Sequence, residues 1–280
     1  MATATTPTLA TSVNPCPNVT VSFTSLPTSA SATTITVWRV ADGITEQVRN
    51  ANGTVITGQT TFVVVDYEAP IGIPVVYYAS MTIAGVAQGN GPTATTTIND
   101  SRFWISDPLN PANSLAIQTG GYGVATLGLH TFETVQRSYK YNRSMVIGQQ
   151  RPVMQFYGQK GIEGAQFEVY TYGDTDNSMD NLLSVSPILI RVPSVMVNMP
   201  ARLYGVMEAT LQPQTWRIEA SSPLNLWTIT FNETAPQSLA VVFSVYSYAY
   251  WSTKYPGTYA TVTASVYGSN NYNYALLNQP

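Results

Sequence analysis

Apolar residues in this chain come in short runs with a period of two, and this constrains its fold more than any other feature. Val19, Val21 and Phe23 alternate with Thr20 and Ser22, the pattern of a strand with one face buried. Residues 35–40 read as the next strand, and Asp42-Gly43 stands where a tight turn follows. Residues 44–49 can pair back. Asn52-Gly53 is the strongest short hairpin signal, because both central residues of a type I′ turn take positive φ. Residues 55–56 and 60–65 continue the series, Pro70, Gly72 and Pro74 mark a long turn, and residues 75–83 and 93–98 complete it. About seven short strands thus fall between residues 17 and 99, with turns every 8–12 residues or so, which predicts an immunoglobulin-like sandwich. No run approaches the roughly 18 apolar residues of a membrane helix.

Residues 101–111 read as a short strand and a Pro-rich turn, and place a domain boundary there. Further strand candidates lie at 124–129, 153–157, 166–172, 188–192, 202–207, 215–219 and 227–231. Between two of them lies the one convincing helix start. Asn177 caps it and Asp180 favours its first turn. Met179, Leu182 and Leu183 then share one face at i, i+3 and i+4, and Pro187 limits the helix. So short a helix is unstable alone, so that face packs on the sheet.

The two ends differ from the middle. Residues 1–15 are Thr, Ala, Ser and Pro without a period, and read as a flexible arm. Its first residues lack the charged and apolar regions of a signal peptide. Residues 235–280 crowd aromatic side chains together: Tyr246, Tyr248, Tyr250, Trp251, Tyr255, Tyr259, Tyr267, Tyr272 and Tyr274. The phrases Tyr248-Ala-Tyr-Trp, Tyr259-Ala-Thr-Val and Tyr274-Ala-Leu-Leu form an imperfect repeat. Each phrase buries too little to fold alone, so the extension lies along another surface. Three readings compete: an interface with a neighbouring subunit, packing on the chain's own β surface, and stacking on sugar rings. An elongated repeat favours the first, with Tyr248, Tyr250, Trp251, Tyr255, Tyr259, Tyr267, Tyr272 and Tyr274 as contact residues.

Composition removes several function classes. Charged residues make up only 10% and the net charge is −3, so there is no basic footprint for nucleic acid. Cys16 is the single cysteine, which excludes an intrachain disulfide and a cysteine-based zinc site. His130 is the single histidine, so no second imidazole shares catalytic or ligand work. Asp174, Asp176 and Ser178 match the first positions of a calcium loop, but Met179 and Val185 stand where glycine and glutamate are needed. Asp66 with Glu68, or Glu163 with Glu168, are carboxylate pairs of the kind glycosidases use. Residues 66 and 68 share a face of an extended segment, which favours a structural pair. Gly120-Gly-Tyr-Gly123 is too short for a phosphate loop and reads as a hinge. No nucleophile-elbow, Walker or dinucleotide motif is present. The reading is a chain without enzymatic activity, cofactor or metal.

Four segments carry a resemblance across nearly the whole chain. They are Val37-Trp-Arg-Val-Ala-Asp-Gly43 with Asp66-Tyr-Glu-Ala-Pro-Ile-Gly-Ile-Pro-Val-Val-Tyr77; Trp104-Ile-Ser-Asp-Pro-Leu-Asn-Pro111; Arg151-Pro-Val-Met with Gly164-Ala-Gln-Phe-Glu-Val-Tyr-Thr171 and Ile188-Leu-Ile-Arg-Val-Pro193; and Trp227-Thr-Ile-Thr-Phe-Asn-Glu233 with the aromatic repeats. In this order they resemble the minor tail proteins of long-tailed actinobacteriophages. The 66–79 stretch also resembles the E–F corner of fibronectin type III domains, where Tyr77 or Tyr78 would be the anchoring tyrosine. The resemblance implies a virion structural protein near the distal end of the tail. It also implies that the strand–helix–strand portion is similar to the split β-barrel of tail-tube and distal-tail proteins, which form rings by joining sheets between subunits.

The expected fold is all-β: a flexible arm at 1–15, an immunoglobulin/fibronectin III-like sandwich at 16–100, a tail-tube-like split β-barrel with one short helix at 101–234, and a Tyr-rich extension at 235–280 that contacts a neighbour. The expected partners are copies of itself in a ring or other symmetric oligomer, and other tail proteins. A host cell-surface glycan is a further candidate; nucleic acid and membrane are not. Such a protein is made in the host cytoplasm and resides in the virion tail tip. The competing readings are a glycan-binding module for host-wall recognition and a capsid or head-decoration protein.

Overall fold

The computed structural model describes residues 3–27, 31–120, 123–128, 131–133, 135–138, 141–144, 153–156, 161–173, 175–193, 196, 199–214 and 224–236. Residues 1–239 form one compact unit and 240–280 a second; the second lies outside the described residues. The chain is mostly β, with one short helix among the described residues.

The first half is two sheets sharing one core. The strands are β1 (Thr8–Ser12), β2 (Asn18–Phe23), β3 (Thr33–Ala41), β4 (Ile44–Gln47), β5 (Thr54–Val55), β6 (Phe62–Asp66), β7 (Pro74–Ile83), β8 (Val86–Asn90) and β9 (Ala94–Thr97). One sheet has the order β1-β2-β6. The other has β4-β3-β7-β8, with β5 also pairing β3 and β9 pairing β7. Alternate residues of β2, β3 and β7 turn inward, so Val21, Phe23, Ile35, Val37, Tyr77 and Met81 fill the space between the sheets. Tyr77 is the tyrosine turned into this core, and its hydroxyl donates to Asp66 Oδ2 at 2.8 Å. Tyr78 points the other way and stacks on Trp38 at 6.4 Å.

Two sequence expectations are corrected here. The arm at 1–15 is not wholly free: β1 pairs with β2 over five residues, and Ala4 is buried. Four of the five β1 residues are exposed, so the strand is held by backbone bonds and leaves no hydrophobic alternation to read. Asn52-Gly53 does not make a type I′ hairpin. Gly53 has φ 65° but Asn52 is not among the positive-φ residues, and β4 and β5 both pair β3. That turn geometry occurs at Asp42-Gly43 and at Ala84-Gly85, where both residues have positive φ.

The second half is a nearly closed barrel. Its elements are β10 (Phe103–Ser106), β11 (Ser114–Ile117), β12 (Ala125–Leu127), β13 (Gln136–Ser138), β14 (Tyr141–Ser144), β15 (Val153–Phe156), β16 (Gly161–Glu163), β17 (Ala165–Tyr172), α1 (Thr175–Leu183), β18 (Ile188–Arg191), β19 (Arg202–Gln214) and β20 (Leu224–Glu233). Seven strands run in the order β11-β10-β18-β19-β20-β17-β12. Gln118 joins the ends: its N–H donates to Ala125 C=O and its C=O accepts from Leu127 N–H, both at 2.9 Å. β13 pairs β16, and β14 pairs β15, as two small separate ladders.

α1 begins at Thr175, so Asn177 lies inside the helix and Asp176 is the acidic residue of the first turn. Asp176 accepts from Thr171 Oγ1, and from Asn225 Nδ2 at 2.6 Å. Trp227 Nε1 donates to Thr171 Oγ1 at 2.8 Å. The helix start is thereby tied to β17 and β20. Met179 and Leu182 are fully buried in the barrel core, and Leu183 packs at its margin.

Candidate functional site

β10 and β18 are buried along their whole length. A strand loses its alternation when both faces are covered. Phe103, Ile105, Ile188 and Ile190 face the barrel core. Their neighbours face the sandwich: Trp104 belongs to the sandwich core. Trp104 lies across from Arg191, and Arg191 across from Arg202. Two arginines side by side on one face repel, so the opposing surface must answer them.

It answers with a buried polar network. Arg202 donates to the Glu46 carboxylate, and to Glu68 C=O at 3.2 Å. Tyr204, two residues on, donates to Glu68 Oε2 at 2.8 Å, and Arg49 Nε donates to Glu68 Oε1 at 2.5 Å. Arg39, 2% exposed, donates to both oxygens of Asp66, at 2.7 and 2.8 Å, and to Glu46 Oε2 at 2.7 Å. Arg191 donates to the carbonyls of Pro17 and, at 3.0 Å, Tyr67, and to Ser106 Oγ at 3.1 Å. In a chain with so few charges, these residues join the sandwich to the barrel.

The electrostatics follow from burial. Desolvation alone would raise the Asp66 carboxyl. The Arg39 charge, hydrogen bonds from Tyr77 and Arg39, and the Glu68 N–H overcome it and hold the group below the usual carboxylate range. Glu46 is held low in the same way, with burial opposed first by Arg202 and then by Arg39. Burial, and then the nearby Asp66 carboxylate, push the Tyr77 hydroxyl up. An ionised, arginine-bound Asp66 is no proton donor at neutral pH. Glu68 joins the two β bodies through Tyr204 and Arg202, while Asp66 bonds Arg39, Tyr77 and the Glu68 N–H within the sandwich. Glu163 and Glu168 stand partly exposed on β16 and β17.

Beside this network lies a cleft of about 320 Å³ lined by Trp38, Arg39, Thr45, Glu46, Gln47, Arg49, Glu68, Tyr204 and Pro236. It offers aromatic faces and planar hydrogen-bonding groups. Among the described residues, no group of three or more His, Cys, Asp or Glu side chains is placed to hold a metal ion. No helix of the described residues is long and apolar enough to cross a membrane. Cys16 is buried as a free thiol.

The other surface with chemical capacity is β19. Residues 208–213 are exposed, although β20 pairs with them. The aromatic contact residues of the extension, Tyr248, Tyr250, Trp251, Tyr255, Tyr259, Tyr267, Tyr272 and Tyr274, lie outside the described residues. So do His130, Asp174 and the strand candidate at 215–219. Sequence reasoning missed the arginine network, yet it left a signal. Arg39 falls on the inward parity of Ile35 and Val37, and an inward charge in a strand needs a buried partner. The chain matches no protein-family model, and no curated protein matches it.

Proposed function

We propose that this chain is a structural protein of a phage tail: a minor tail protein at or near the distal end, joined to its neighbours by β and aromatic contacts, and not an enzyme. The observation that carries the reading is the far half of β19, exposed beside β10, β17, β18 and β20, which pack into the barrel core. An exposed strand with a free edge invites another chain to complete the sheet. The order β1-β2-β6 facing β4-β3-β7 supports the fibronectin III-like reading of the first half. The barrel with its single helix supports the likeness to tail-tube and distal-tail proteins. The four resembling segments support a place in the virion tail, with copies of this chain and other tail proteins as partners.

Gold-tagged antibody against the chain, viewed on particles by electron microscopy, tests this. Gold is expected at the distal tail. Gold on heads, or none where the epitope is shown to be accessible, overturns the reading and brings head decoration forward.

The cleft favours glycan recognition as a second reading. Trp38 and Tyr204 provide aromatic faces, and Glu46, Gln47 and Arg49 provide groups that hydrogen-bond hydroxyls. Saturable binding of host-wall polysaccharide, lost in Trp38→Ala, supports it. Absence of binding by the intact chain removes it.

A further inference from the structure

β19 outruns its neighbour. β18 pairs with it only from Arg202 to Gly205. β20 pairs with it from Gly205 to Gln214. Beyond Gly205, no strand among the described residues pairs with the other edge of β19. Residues 208–213 are exposed, so this edge is open to a further strand.

One bond sets the direction of the backbone groups. Thr234 N–H donates to Tyr204 C=O at 2.8 Å. Even-numbered residues of β19 therefore turn their N–H and C=O toward β20, and odd-numbered residues turn theirs away. Ala201 obeys the same parity, since its C=O accepts from Val192 N–H at 3.0 Å on the β18 side. Met207, Ala209 and Leu211 thus present both groups to the open edge, and Pro213 presents only C=O. Side chains alternate too. Met207, Ala209, Leu211 and Pro213 share the face of Phe231, Ile229, Trp227 and Asn225, while Glu208, Thr210 and Gln212 take the other face. Leu211 lies on the core side yet is 43% exposed.

We propose that this edge pairs with the same edge of a second copy of the chain, antiparallel about a twofold axis at Thr210. The polarity of residues 207–213, Met-Glu-Ala-Thr-Leu-Gln-Pro, reads alike in both directions, which is what an isologous contact needs. Ala209 then lies across from the partner's Leu211, Met207 from the partner's Pro213, and Glu208 from the partner's Gln212. Apolar meets apolar on one face, polar meets polar on the other, and no like charges oppose. Ala209 and Leu211 exchange both backbone bonds with their counterparts, and Met207 N–H donates to the partner's Pro213 C=O. Closure about a twofold axis removes the free edge instead of propagating it. The inference rests on the reading that the chain assembles with copies of itself, and it names the face and the symmetry.

The test uses the full chain. On the axis, residue 210 makes a non-hydrogen-bonded pair with its counterpart, with Cα atoms about 4.5 Å apart, within reach of a disulfide. Under mild oxidation, at a concentration where sedimentation shows the wild type oligomeric, Thr210→Cys is expected to run as a covalent dimer. Thr228→Cys, on β20 with strands along both edges, is not. Ala209→Pro removes an N–H from the open edge alone; it is expected to keep the monomer's thermal transition and to weaken dimerisation about tenfold or more. Oligomers that neither crosslink at 210 nor respond to Ala209→Pro overturn this edge and leave self-assembly standing. A chain that stays monomeric across the concentration series overturns both.

Discussion

The Tyr204 hydroxyl, on the barrel, donates to Glu68 Oε2, on the sandwich, at 2.8 Å, and both residues are buried. The bond spans two β bodies that have separate cores. Burial pushes the Tyr204 hydroxyl up from its ordinary value, so it remains a donor throughout the physiological range. Tyr204→Phe should leave the Glu68 carboxylate one donor short and destabilise the chain by about 1–3 kcal/mol. Urea denaturation followed by tryptophan fluorescence measures this. An unchanged midpoint would mean the bond contributes nothing to the junction.

Asp66→Asn should cost more. It weakens the pairing of the buried Arg39 guanidinium, and breaking a buried pair costs about 3–5 kcal/mol. The same residue shapes the acid limb. Asp66 and Glu46 are both held below their ordinary values, so they bind protons more readily when unfolded. Their contribution is complete above the unfolded carboxyl range, near pH 4, and is lost as pH falls through the lowered folded values. The thermal midpoint of the wild type should therefore show no contribution from these groups between pH 6 and 8, and fall below about pH 4. Asp66→Asn should start lower at pH 7 and show a shallower acid decline.

Leu182→Ala should destabilise the barrel by about 2–5 kcal/mol, because Leu182 is fully buried where α1 docks. Leu182→Asp should unfold it by burying an unpaired charge. Unchanged melting of either variant would detach α1 from the core.

Gly205 permits a close approach. A Cβ there would sit 2.3 Å from the Phe231 ring and 2.4 Å from Asn232 C=O. Gly205→Ala should destabilise by about 1–3 kcal/mol through overpacking, read as a lowered denaturation midpoint. Gly120→Ala meets open space and should not.

Deleting residues 246–280 should leave the circular dichroism of the β bodies intact and weaken assembly. Unchanged stoichiometry by native mass spectrometry would remove the extension from the interface.

Much of this fold was legible because half-buried strands announce themselves. β2, β3, β7, β17 and β20 alternate buried with half-buried residues, and the Met179–Leu182 face of α1 follows from spacing alone. β1 was hidden because its partners are backbone groups. β8 was hidden because it is short and largely exposed and follows an Ala84-Gly85 turn. The junction was legible only in retrospect from Arg39, since its partners Asp66 and Glu46 come from other strands. The open edge of β19 depends on where β18 stops, a relation between distant segments that no local pattern encodes.

The arginine network also has a consequence for descent. Arg39 and Arg202 share Glu46, Glu68 is shared by Arg49 and Tyr204, and Arg191 is held by carbonyls of both Pro17 and Tyr67. Losing Glu46 or Glu68 alone leaves the arginines that share it short of a partner, so neutral drift at these positions must proceed by compensated changes. The two β bodies are therefore expected to be inherited as a unit rather than shuffled as separate modules, and relatives should keep or lose the set together.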